Sequence, residues 1–195
     1  SSVVFGINSN VETIEEGAFS LCSSLKEFTI PAKVTVLDNI FGYSDYCENI
    51  SFAEGSQLTS VNEDVFARKY NLKSVDFPNV KTIGESAFQY CSNLTAISFP
   101  VCTTISSYAF QYCSNLITAS FPVCTTIVNY TFRNCTCLTT ADFPVCKAIS
   151  GNAFQNCFSL TTVSFPACTS IGYYTFYNCY NLTTISFPVC TTISN

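Results

Sequence analysis

Thiols are the reactive groups this chain has in greatest number: 13 cysteines in 195 residues. Eleven of them fall into two regular columns. Cys22, Cys91, Cys113, Cys135, Cys157 and Cys179 form one; Cys102, Cys124, Cys146, Cys168 and Cys190 form the other. Cys47 and Cys137 stand outside both. Such a set can form disulfides, bind a metal or sit as small polarizable core residues. Zinc is poorly served. Cys135 and Cys137 are closer together than structural sites use, and the chain has no histidine to complete a mixed ligand set. An odd count also leaves one thiol unpaired in any full disulfide scheme.

Other chemistry is largely missing. Without histidine the commonest general base is absent, and no Ser-His or Cys-His nucleophile can be assembled. Glu15-Glu16 and Glu63-Asp64 are adjacent acids that suit a solvated face or weak calcium binding. After Glu85 the only carboxylate side chain is Asp142, so paired-acid catalysis has no place in that region. No cofactor-binding motif is present, and a non-enzyme is expected. Net charge is −5 and no basic cluster exists, which disfavours nucleic acid. No apolar run approaches the roughly 20 residues of a membrane-spanning helix, so membrane insertion is not expected.

The elements that hold these residues follow from a 22-residue repeat. Phenylalanine recurs at Phe66, Phe88, Phe110, Phe132, Phe154 and Phe176. It recurs again at Phe77, Phe99, Phe121, Phe143, Phe165 and Phe187, each followed by proline. A period of this size marks a solenoid, whose units bury each other's apolar faces because none can fold alone. Ile97-Ser98-Phe99 alternates apolar and polar residues, as a strand does, and Pro100 has no N–H to extend the ladder. Nine short strands are predicted near 3–5, 28–30, 50–52, 75–77, 97–99, 119–121, 141–143, 163–165 and 185–187. Paired in parallel they would make a sheet about 40 Å long. Phe5–Ile14 and Phe52–Val61 each carry three extra residues, which belong in loops. Serines before Ala109-Phe110 suggest a capped short helix or 3-10 turn on the opposite side. The expected architecture is an α/β repeat solenoid, one right-handed coil with one parallel sheet of about nine strands. It is read as a single domain over 1–195, irregular over 1–82 and regular over 83–195. The chain starts without methionine and stops within a unit, so it is read as a piece of a longer protein.

In that frame, parallel side-chain vectors make disulfides between column neighbours hard to close, and buried free thiols are expected. Two columns face outward from the strands. Asp76, Ser98, Ser120, Asp142, Ser164 and Ser186 form the first; Ser74, Ala96, Thr118, Thr140, Thr162 and Thr184 line the second. Two accounts of them stand. Small residues relieve crowding on a curved sheet, or they form a ligand groove. The tyrosines near Tyr90, Tyr108, Tyr130 and Tyr173 lie on the opposite flank and are read as coil packing.

Leu94-x-x-Ile97-x-Phe99-x-x-Cys102 matches the leucine-rich repeat motif, with cysteine where asparagine is commoner. With Phe99-Pro100, Ile105, Ala109-Phe110 and Cys113, each unit resembles the BspA-like branch of that family. The resemblance implies an extracellular or cell-surface adhesion module that binds a host or matrix protein, or a glycan. End-to-end self-assembly is a second expectation. Ice or crystal-surface binding through threonine columns such as Thr103/Thr125/Thr169/Thr191 is a third.

Overall fold

The structure, a computed structural model, describes residues 2–6 and 9–194. Ile7 and Asn8, which fall in the first three-residue insertion, lie outside the described residues.

Each coil contributes two strands. The odd-numbered strands are β1 (Ser2–Val3), β3 (Glu27–Ile30), β5 (Asn49–Phe52), β7 (Ser74–Val75), β9 (Ala96–Ser98), β11 (Thr118–Ser120), β13 (Thr140–Asp142), β15 (Thr162–Ser164) and β17 (Thr184–Ser186). The even-numbered strands have two residues each: β2 (Thr13–Ile14), β4 (Val36–Leu37), β6 (Ser60–Val61), β8 (Thr82–Ile83), β10 (Thr104–Ile105), β12 (Thr126–Ile127), β14 (Ala148–Ile149), β16 (Ser170–Ile171) and β18 (Thr192–Ile193). The odd set is the predicted one, mostly begun a residue earlier. Every strand pair is parallel, with register such as Ala119 opposite Ile97 and Ala141. The fold is thus a parallel β-solenoid of about nine turns.

The expected helical turns are absent: among the described residues there is no α-helix and no 3-10 helix. The α/β assignment is therefore corrected, for a reason visible in the backbone. From Phe66 to Phe176, residues two before and two after each turn phenylalanine take positive φ. Examples are Tyr108 (60°) and Tyr112 (63°) around Phe110, and Asn152 (59°) and Asn156 (62°) around Phe154. That leaves three residues between left-handed positions, too few for a helical hydrogen-bonded turn to repeat. The N–H groups instead point at the next coil. Tyr108, Phe110 and Tyr112 donate to the carbonyls of Asn129, Thr131 and Arg133 at 3.3, 3.0 and 2.9 Å. The turns therefore form a third inter-coil ladder. Left-handed tyrosines are unusual, and here their rings stack: Tyr90 on Tyr112 at 4.6 Å and Tyr108 on Tyr130 at 4.9 Å.

The core is two phenylalanine columns in contact. Phe88, Phe110, Phe132 and Phe154 stack nearly parallel at 5.2, 5.5 and 5.4 Å. Phe132 meets Phe121 and Phe143 of the other column edge to face at 6.2 and 5.8 Å. From Phe66 to Phe154 and from Phe77 to Phe165 every member of both columns is buried; Phe176 and Phe187 are half-buried.

The thiols are free, as expected. Cys91, Cys113, Cys135 and Cys157 are enclosed and donate S–H to the carbonyls of Phe66, Phe88, Phe110 and Phe132 at 3.1–3.2 Å. Cys102, Cys124, Cys146 and Cys168 close the turn after each odd strand, each donating at 3.3 Å to the carbonyl two residues on. Cys22 departs from the column expected of it and is exposed. Burial pushes the enclosed thiols well above their ordinary value.

The ladders are not continuous. The main sheet runs β1-β3-β5-β7-β9-β11-β13, then breaks, and β15-β17 pair separately. The even strands divide into β2-β4, β6-β8-β10 and β12-β14-β16-β18.

Candidate recognition surface

Strand geometry alone fixes the direction of the candidate residues. In β11 the middle residue Ala119 is buried, so Thr118 and Ser120 must point outward. Parallel register then stacks like on like. Thr118 lies between Ala96 and Thr140, and Ser120 between Ser98 and Asp142. Ser120 Oγ is 3.5 Å from Asp142 Oδ2. Thr162 and Ser164 stack on Thr184 and Ser186 in the separate β15-β17 pair. The break between β13 and β15 therefore divides the expected face into two panels. Asp76 is exposed and lies just beyond the end of β7.

The face continues into the irregular coils, where Thr29 meets Ser51 at 3.0 Å and Ser74 donates to Asn49 at 2.8 Å. Of these, the sequence places Ser74 in the second outward column, but not Thr29, Ser51 or Asn49, because the degenerate coils obscure the columns. Beside them Lys26 and Lys73 flank Glu48 at 3.2 and 2.5 Å. Hydrogen bonds from Lys73 and then Lys26 hold the Glu48 carboxyl below its ordinary range.

Hydroxyls on this face differ from those at its flanks. Thr139, Thr169, Thr183 and Thr191 each donate to a carbonyl one coil back, at 3.1–3.2 Å. Among the described residues, the hydroxyls of Ser98, Thr118, Thr140, Thr162, Ser164, Thr184 and Ser186 have no hydrogen-bond partner, and all seven residues are exposed. The flanking columns are spent on the scaffold, and the strand columns are not. That distinction has no sequence signal, since both are runs of serine and threonine. The even-numbered ladder was also missed. Its only trace is an exposed-buried pair such as Thr104-Ile105, two residues long and too short to show a period.

The family model described as "BspA type Leucine rich repeat region" matches residues 2–117 and 103–195, in six copies. Among solved structures, a leucine-rich cell surface protein of Faecalibacterium prausnitzii shares 30% identity over 83% of this chain, with a TM-score of 0.62. This chain spans 39% of that protein's length. The leucine-rich repeat protein of T. pallidum aligns with 93% of this chain and 78% of its own, at 22% identity and a TM-score of 0.68. One from Eubacterium ventriosum aligns with 88% and 57%, at 23% identity and a TM-score of 0.59. These last two show likeness of fold. No curated protein matches the chain.

Proposed function

Because the chain belongs to the BspA-type leucine-rich repeat family, we propose that it is a non-catalytic recognition module, displayed at a cell surface or secreted, that binds a partner protein or glycan through the outer face of its odd-numbered strands. The observation that carries this reading is the set of exposed hydroxyls on Ser98, Thr118 and Thr140, without side-chain partners among the described residues, held in parallel register around the Ser120–Asp142 pair and resumed at Thr162. Free hydroxyls and carboxylates on a rigid parallel sheet suit a ligand rich in hydrogen-bond donors, because the strands fix their spacing in advance. The F. prausnitzii protein, described as a cell surface protein, supports the location.

The test is a triple variant, Ser120→Arg, Asp142→Arg and Ser164→Arg, probed beside the parent chain on immobilised matrix proteins and a glycan array. The parent is expected to retain at least one of them, and the variant to lose it. Stability should change by less than about 1 kcal/mol, since exposed positions are altered. A variant that binds as the parent does would remove this face from consideration.

A further inference from the structure

The two insertions bracket one shorter turn. Phe5, Ile30 and Phe52 hold equivalent places in successive coils, as the pairing of Val3 with Phe28 and of Ile30 with Phe52 requires. The connections Phe5 to Ile14 and Phe52 to Val61 are equally long; Ile30 to Leu37, between them, is two residues shorter. Two long connections therefore stand on either side of a low one. The result is a notch of about 490 Å³, with Gly6 and Ser9 on one wall, Ala53 and Glu54 on the other, and Pro31 and Ala32 between them.

Both walls are fastened. The Ser9 N–H donates to the Gly6 carbonyl at 2.9 Å, and Lys33 Nζ donates from the middle turn to Asn10 Oδ1 at 2.6 Å. On the other side the N–H groups of Ala53 and Gln57 donate to the carbonyls of Ile30 and Ala32 at 2.9 and 2.8 Å, and Asn79 Nδ2 donates to the Ser56 carbonyl at 2.9 Å. A guest therefore meets a formed site rather than one it has to order. The lining is apolar, with charge of one sign. Val3, Phe5, Pro31 and Ala53 contribute to it. Val4 points outward in line with Thr29 and is 86% exposed, an aliphatic side chain at the head of a column that continues as Thr29, Ser51 and Asp76. Glu27 and Glu54 are the charged residues of the lining, and neither forms an ion pair among the described residues. Lys26, beside Glu27, is held by Glu48 at 3.2 Å.

These features select a guest. Carboxylates with no cation in the lining repel an anion and favour a positive charge. The apolar surface between them suits a hydrocarbon side chain and not a sugar, whose hydroxyls would lose water there without gaining partners. We infer that the notch seats a large apolar side chain of a protein partner whose chain neighbours are arginine or lysine. The anchor rests against Val4, Phe5 and Pro31. The basic stems lie along the walls, and their heads meet Glu27 and Glu54. The volume falls in the range of small-ligand sites. Through Val4 and Thr29 the notch adjoins the outer strand face, yet it does not need that face to bind, so the two assignments fail separately.

The test follows amide chemical shifts of the whole isotope-labelled chain as a capped peptide with one phenylalanine between two arginines is added. Saturable shifts centred on Gly6, Thr29, Ala32 and Ala53 are expected. Replacing the phenylalanine of the peptide by serine, or its arginines by glutamates, should weaken binding at least fivefold. E27Q/E54Q and, separately, V4S should each weaken it at least threefold with the melting temperature unchanged, because the altered side chains are exposed. In E63Q/E85Q, which removes two acids outside the notch, and in S120R/D142R/S164R, affinity should stay within twofold. No saturable shift, equal affinity for the three peptides, or equal losses in E27Q/E54Q and E63Q/E85Q overturns the proposal. Shifts at the same amides with maltohexaose, and none with the peptides, assign the notch to a glycan and overturn it as well.

Discussion

Raising the pH from 8 to 10 is expected to withdraw about 6 kcal/mol of this protein's stability. The cause is the column of enclosed thiols. Cys91, Cys113, Cys135 and Cys157 are fully buried, and burial disfavours the thiolate so strongly that all four stay protonated in the fold. Released into water, each ionises around the ordinary thiol value of 9.0. Folded pKa values therefore lie above unfolded ones. The contribution to stability is complete below 9.0 and is lost as pH rises toward the folded values. At pH 10 an unfolded thiol gains about 1.4 kcal/mol over a protonated one, so four of them withdraw about 6 kcal/mol. A typical domain has about 5–15 kcal/mol in total. Other partly buried thiols add to the loss: Cys102 and Cys146 of the second column are pushed up to about 12, and Cys179 of the first and Cys47 outside both to about 11. Lys69 acts in the opposite direction, because burial lowers its pKa and its desolvation cost fades as pH rises, but it is one group against many. Urea denaturation at intervals from pH 7 to 10.5 measures this directly. Midpoints that stay level through pH 10 would mean the thiols are not enclosed. Replacing Cys91, Cys113, Cys135 and Cys157 by alanine together should flatten the slope even though it lowers stability at neutral pH.

The second large effect belongs to the aromatic core. Phe132→Ala removes a fully buried ring that stacks on Phe110 and Phe154 and meets Phe121 and Phe143 edge to face. The loss should be about 4–5 kcal/mol, at the upper end for such a change. Four rings lose a partner at once, and the Phe132 coil is pinned by three ladders to the β13-β14 coil and by two to the β9-β10 coil, which resist collapse into the void. Denaturant midpoints at pH 7 under reducing conditions give the value; a cost below about 1 kcal/mol would show that the coils close over the gap. Phe176→Ala, at a half-buried position, should cost clearly less.

What was legible in the sequence was whatever the period repeats with bulky or punctuating residues. Phe99-Pro100 located both a strand and its end, because proline removes the next ladder donor. The outward direction of Ser120 followed from the buried Ala119 between it and Thr118. The turn side was misread because Ser106-Ser107 before Ala109-Phe110 has the composition of a capped helix. Nothing in a tyrosine announces positive φ, which tyrosine rarely adopts and which here goes with its neighbour's ring stacked upon it. The unpaired seam between β4 and β6 was announced only as a three-residue insertion. Where those residues went, and that two ladders would lapse beside them, depends on inter-coil registry, which no local pattern encodes.

The staggering of the ladder breaks sets how the rod carries load. The gap between β13 and β15 is bridged by the pair β14-β16 and by the turn bonds of Asn152, Phe154 and Asn156. The gap between β10 and β12 is bridged by β9-β11 and the bonds of Tyr108, Phe110 and Tyr112. Each of these seams keeps two of its three fastenings. The seam between the β3-β4 coil and the β5-β6 coil keeps one, the β3-β5 ladder. There β4 and β6 do not pair with each other, and among the described residues no backbone hydrogen bond joins the turn at 39–43 to the turn at 64–68. The Lys69 ammonium donates to the Gly42 carbonyl and the Asn71 N–H to Asp45 instead. Bending that opens the turn side of the solenoid therefore concentrates there, while the sheet side is held by the β3-β5 ladder, four residue pairs long and extended by the N–H groups of Ala53 and Gln57 donating to the carbonyls of Ile30 and Ala32.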